Sequence, residues 1–159
     1  MFTNILLCTH GSKGAQKAEA YVFNEMRKKL PAAELSVLTI IDKDWSGMSS
    51  DDWLNTSTTR TQFKDYVQEQ LTREIDEDWA RIRTSYGVGE ECRFMNVVGG
   101  IEQTIAEVAE KLGCDLIVLG PYHKKPRRLT SVIMEKGLAD TISNKILHPL
   151  LPCPALIVP

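Results

Sequence analysis

The sequence predicts an α/β fold, a single doubly wound domain over residues 1–159 with a five-stranded parallel sheet of order 3-2-1-4-5. Two observations carry that prediction. Short apolar runs alternate with stretches of helical periodicity along the whole chain, the pattern of a mostly parallel sheet covered by helices on both faces. The runs end in turn residues, such as His10-Gly11-Ser12 and Gly99-Gly100, and no linker, repeat or low-complexity segment interrupts the alternation.

The elements follow in order. Asn4 to Thr9 (NILLCT) reads as a buried strand. Ser12 is placed to cap the first helix, whose apolar face is Ala18, Val22, Met26 and Leu30. Arg27, Lys28 and Lys29 suit the negative end of its dipole, and Pro31 stops it. Glu34 to Ile41 is the second strand, and Asp42 to Ser50 reads as a loop. A long helix from about Thr58 to Tyr86 carries the stripe Phe63, Val67, Leu71, Ile75, Trp79, Ile82 and Tyr86, with the charges between forming a solvated face. Gly87 and Gly89 end it. Cys92 to Val98 is the third strand. Ile101, Ile105, Val108 and Leu112 mark the next helix, ended by Gly113, and Asp115 to Leu119 is the fourth strand. Leu138, Ile142, Ile146 and Leu150 mark a last helix before a fifth strand, Ala155 to Val158.

Composition narrows the class. The 159 residues suffice for a sizeable core, and 43% hydrophobic with 25% charged residues is ordinary for a soluble globular protein. A net charge of -2 gives no reason to expect nucleic-acid binding. No apolar run approaches a membrane span, and the start MFTNILLCTHGSKG lacks a basic signal region, so no membrane association is expected and the expected location is the cytoplasm. Cys8, Cys92, Cys114 and Cys153 form no CxxC pair and lie in or beside apolar runs, where a reduced cysteine packs as a small hydrophobe.

In an open α/β sheet a ligand binds beyond the carboxyl ends of the strands, where strand order reverses. Order 3-2-1-4-5 puts that switch between the first and fourth strands. The residues leaving them are His10-Gly11-Ser12 and Gly120-Pro121-Tyr122-His123, so both loops point into one crevice. The strand-end residues Thr9, Ile41 and Asp42 are its further candidates on this side.

Three runs carry a resemblance. ILLCTHGSKGAQKA opens the chain, GGIEQTIAEVAEKLGCDLIVLG lies in its middle, and DTISNKIL followed by PCPALIVP closes it. In this order they resemble the universal stress protein family over nearly the full length. The resemblance implies a Rossmann-like fold of the adenine-nucleotide alpha hydrolase type, a non-enzymatic regulatory role in stress response, and a homodimer formed by pairing of the final strands, here Ala155, Leu156, Ile157 and Val158.

ATP-binding members of that family carry Gly-x-x-Gly, nine residues, then Gly-Ser or Gly-Thr. The first glycine matches Gly120 and the second falls on His123. At strict spacing the third falls on Ile133. With a longer loop that aligns the last helices it falls on Asp140, with Thr141 in the hydroxyl place, and we adopt that alignment. The aspartate that ends the family's first strand falls on His10. A side chain at 123 fills space that glycine leaves for a phosphate, and Asp140 puts negative charge where a helix N-terminus should attract anions. While protonated, His10 cannot accept the bonds that an aspartate accepts. The standard ATP mode is therefore not expected, and no cofactor is assigned, with ATP or AMP as the alternative.

What the loop offers instead is charge. Lys124, Lys125, Arg127 and Arg128 cluster around Pro126, either as a clamp for a phosphorylated small molecule or as a solvated surface. His10 and His123 are expected to face each other across the crevice. Cys8 with His10 would share a strand face, but no further ligand stands at a recognisable spacing, so no metal site is assigned. Gly11-Ser12-Lys13-Gly14 lacks G-x-G-x-x-G, and Asp42 lies too far on for a dinucleotide fingerprint. A Ser-Gly-Gly-x-Asp-Ser loop, G-x-S-x-G and H-E-x-x-H are all missing. A nucleotide-hydrolysing enzyme of the same superfamily is the least supported class, and no catalytic residue is named.

Overall fold

The computed structural model describes residues 1–11, 13–42, 57–120 and 151–159. The expected elements that fall elsewhere, namely the Ser12 cap, the loop after Asp42 and the last helix, lie outside the described residues.

Strand β1 (Asn4–Cys8) is the centre of a five-stranded sheet. It pairs in parallel with β2 (Glu34–Asp42) on one side and β4 (Leu116–Leu119) on the other. Strand β3 (Cys92–Gly99) pairs with β2, and β5 (Ala155–Ile157) with β4, again in parallel. The order is β3-β2-β1-β4-β5, as expected. Strands β2 and β3 each run one residue beyond the predicted end, while β1, β4 and β5 are each one residue shorter.

Alternation along the strands divides the core into two layers. Ile5, Leu7 and Val37 pack with Ala18, Val22, Phe23, Met26 and Ile82, side chains of α1 (Lys13–Ala20), its continuation and α2 (Ser57–Tyr86). Leu6, Cys8, Leu38 and Ile40 pack with Ile101, Ile105 and Ala109 of α3 (Ile101–Leu112). Both sides of β1 are thus covered, which is why it reads as an unbroken apolar run. Ile41 continues the first layer outward against Val67, Leu71 and Ile75 of α2. The Phe63 side chain of the predicted α2 stripe lies outside the described residues.

Two expectations need correction. The first helix is not α-helical throughout. After α1 it runs as a π-helical segment, Tyr21–Met26, and closes in an α turn, Arg27–Lys29. Its apolar residues recur strictly every four positions, which drifts by about 40° per step around a 3.6-residue helix. The wider π turn recovers part of that drift and keeps Val22 and Met26 in the core. The second correction concerns charge. The charged residues of α2 are not all on a solvated face, because Asp78 and Arg81 turn inward toward Glu19, whose side chain is wholly buried.

Candidate functional site

The carboxyl ends of β1, β2 and β4 bring three of the expected loci to one edge of the sheet. They are Thr9-His10-Gly11, Ile41-Asp42 and Gly120. Ser12, Tyr122, His123, Lys124, Lys125, Arg127, Arg128, Asp140 and Thr141 lie outside the described residues.

Gly120 ends β4 directly against the first turn of α1. A Cβ there would lie 2.2 Å from the Gly14 carbonyl oxygen, 2.4 Å from its carbon and 2.7 Å from the Ala15 nitrogen. All three are backbone atoms, so no side chain fits without moving the helix. The glycine is required for packing of strand on helix, whatever else it does.

Thr9 is fully buried and anchored twice. Its N–H donates to the Leu38 carbonyl at 3.0 Å, and its hydroxyl donates to Glu19 Oε1. Glu19 Oε2 accepts from Arg81 Nη2 at 2.7 Å, and the same nitrogen donates to Asp78 Oδ1 at 2.6 Å. Arg81 Nε donates to that oxygen as well, at 2.9 Å. Asp78 in turn lies beneath Gly11. A Cβ on Gly11 would stand 3.1 Å from the carboxyl carbon and both oxygens, and the residue's φ of +79° is a conformation that glycine adopts without strain. The chain of contacts therefore runs from Thr9 through Glu19, Arg81 and Asp78 back to Gly11, the two residues that flank His10 in the sequence.

Burial pushes the Glu19 carboxyl above its ordinary range, and the Thr9 and Arg81 hydrogen bonds offset only part of that effect. For Arg81 burial works downward, but the bonds to Glu19 and Asp78 outweigh it, so the guanidinium is held charged more firmly than usual. Sequence reading missed this network. A signal was available, since Ala15, Glu19, Val22 and Met26 follow the four-three-four spacing of a buried helical face.

His10 is half-buried, and its Nδ1 is buried with no hydrogen-bond partner among the described residues. Burial lowers its pKa to about 4. The ring is consequently neutral at pH 7, so the objection that a protonated histidine cannot accept a bond does not hold there. One ring nitrogen is free to accept.

The cysteines behave as expected. All four are free, and Cys8, Cys92 and Cys114 are buried. Burial raises the Cys92 and Cys114 thiols to about 11 and Cys8 further still, which leaves no ready thiolate. Among the described residues no three His, Cys, Asp or Glu are grouped to hold a metal, and no helix is long and apolar enough to cross a membrane.

Comparison with known proteins agrees with the architecture. The chain is similar to the hypothetical protein MJ0577, with 24% identity over 99% of this chain and 96% of that one and a TM-score of 0.69. It is also similar to universal stress protein UspA from Lactobacillus plantarum, with 19% identity over 99% and 97% of the two chains and a TM-score of 0.60. A universal stress protein family protein from Arabidopsis thaliana with AMP bound shares 11% identity over 98% and 90%, with a TM-score of 0.53. At such identities the likeness shows the fold. Among curated proteins no relative matches. The model of the universal stress protein family matches residues 1–159, and the chain belongs to that family.

Proposed function

We propose that this chain is a regulatory, non-enzymatic stress-response protein of the cytoplasm, one domain over residues 1–159, which does not hold ATP in the standard manner of its family. The observation that carries this reading is His10. It stands at the exit of β1 where the family's ATP-binding members carry aspartate, and its ring is neutral at pH 7 and, among the described residues, without a partner at Nδ1. A neutral imidazole offers one acceptor where a carboxylate offers two oxygens. Gly120, the one matching glycine of the motif, already has a packing role against Gly14.

A second reading is an anionic, phosphorylated small molecule held between Gly120 and Thr141, with Lys124, Lys125, Arg127 or Arg128 supplying charge. The opening of α1 favours it. The first turn carries no acidic residue, and the exposed Lys13 stands at its start, an arrangement that attracts anions. AMP in the Arabidopsis protein is a ligand of that class on the same fold. Mass spectrometry of the small molecules released on denaturing freshly purified protein tests both readings. A released nucleoside triphosphate would defeat the first. If an anion is released, its affinity should fall as salt rises and fall again when Lys124 and Lys125 are both made alanine. An affinity unchanged by either would leave that loop a solvated surface.

A further inference from the structure

The contacts from Thr9 to Gly11 have a consequence for His10, the residue between them. Thr9 is held from one side by the buried Glu19 carboxylate. Gly11 packs on the other side against the Asp78 carboxylate, which would lie 3.1 Å from a Cβ there. One nitrogen, Arg81 Nη2, joins the two acids at 2.7 and 2.6 Å. Glu19 is ten residues along the chain from Thr9, whereas Arg81 is 62 from Glu19, so the link fastens the β1 exit to a distant helix. Beside it, His10 Nδ1 is buried with no hydrogen-bond partner among the described residues.

We infer that Arg81, with Glu19 and Asp78, is a positioning residue of the crevice, a strut that fixes the His10 ring at the end of β1 without touching the ligand. The inference rests on reading the crevice as a ligand site. Besides the strut, the β1 ladder and an exposed bond from Gln16 Nε2 to the Gly11 carbonyl, at 3.0 Å, hold the His10-Gly11 turn, and neither supplies the tie to α2. The weak Gly11 N–H contact to Thr9 Oγ1, at 3.5 Å, cannot replace it. Arg81 suits the task because a guanidinium is always charged and presents several donors in a fixed plane, so one group can bridge two carboxylates. A lysine would carry the charge without that geometry.

The test separates the strut from the ligand. The His10 ring is titrated by NMR in the ligand-free full chain, as wild type, Arg81→Lys and Arg81→Ala. Circular dichroism and a cooperative thermal transition establish that each is folded. The wild type should titrate near 4. In Arg81→Ala the freed ring should rise toward the ordinary 6.5, and Arg81→Lys should fall between the two. If Arg81→Ala does not fold, Asp78→Asn takes its place, with a smaller rise in the same direction. A folded Arg81→Ala or Asp78→Asn in which His10 still titrates near 4 overturns the strut. Calorimetry with AMP as the probe is read separately. No AMP binding to the wild type counts against nucleotide binding in the crevice, while the titration still decides the strut. If the wild type binds AMP, affinity should drop at least about tenfold in Arg81→Ala, and an undiminished affinity would also overturn it.

Discussion

Arg81 meets Glu19 at 2.7 Å in a place where the acid has no contact with water and the base keeps a third of its side chain exposed. Such a pair is weak as a source of stability, because desolvation offsets the attraction, but removing one partner is costly. The two kinds of substitution at position 19 should therefore differ. Glu19→Ala leaves Arg81 with Asp78 alone among its described partners and deprives the Thr9 hydroxyl of its acceptor, and should cost about 3 kcal/mol in urea denaturation. Glu19→Gln keeps the shape, and with its carbonyl oxygen turned to Arg81 and its amide donating to Thr9 Oγ1 it should stay within about 1 kcal/mol of the parent at pH 7.

The same pair has a pH signature. Burial raises the Glu19 pKa in the folded state above its unfolded value. The folded protein thus binds that proton more tightly, and the associated stability is present below the unfolded pKa and lost as pH rises through the folded one. Glu19→Gln cannot lose it. Denaturation curves taken from pH 4 to 7 should show the variant gaining on the parent as pH rises. A gap moving the other way would mean that the Arg81 attraction outweighs burial.

Gly120 provides a test that separates packing from binding. Gly120→Ala drives a methyl into the Gly14 carbonyl, 2.2 Å away, and should destabilise the protein by about 1–3 kcal/mol with no ligand present. A glycine needed only for phosphate approach would leave the melting temperature unchanged.

The ATP expectation is tested by restoring the family pattern. Calorimetry with magnesium and ATP should show weak or no binding to the wild type. His10→Asp and His123→Gly together should raise affinity by more than either alone, since both changes bear on one crevice. Micromolar affinity in the unaltered protein would defeat the expectation.

Dimerisation through β5 is the remaining proposal. Leu156 and Ile157 are exposed at the edge of the sheet. Pro154 O and Val158 N are committed to β4, so alternation turns the polar groups of Ala155 and Ile157 outward, ready for a second chain. Val158 itself turns inward, against the layer containing Ile5 and Leu7. We expect light scattering at micromolar concentration to give twice 17.9 kDa, and Leu156→Lys or Ile157→Lys to shift the mass toward monomer. A wild type that stays monomeric at high concentration would mean that Pro154 and Pro159 block the edge.

Strand order and the two-layer core were legible in the sequence alone. Leu6 and Leu7, or Ile101 and Ile105, declare their burial through spacing, which is local, and order 3-2-1-4-5 is the common solution for that alternation. Even the Glu19 position obeyed the periodicity of the buried helical face. Its role did not follow, because a carboxyl at such a position is tolerated only if donors reach it, and these come from Thr9 and from Arg81, 62 residues further on. The packing demand on Gly120 was hidden for the same reason, since a motif glycine reads as a phosphate contact until α1 is seen 2.2 Å from its missing Cβ. The charge state of His10 likewise depended on its burial. Periodicity is set by neighbours along the chain. Desolvation, close approach and polar partners are set by neighbours in space, and only the tertiary structure decided them.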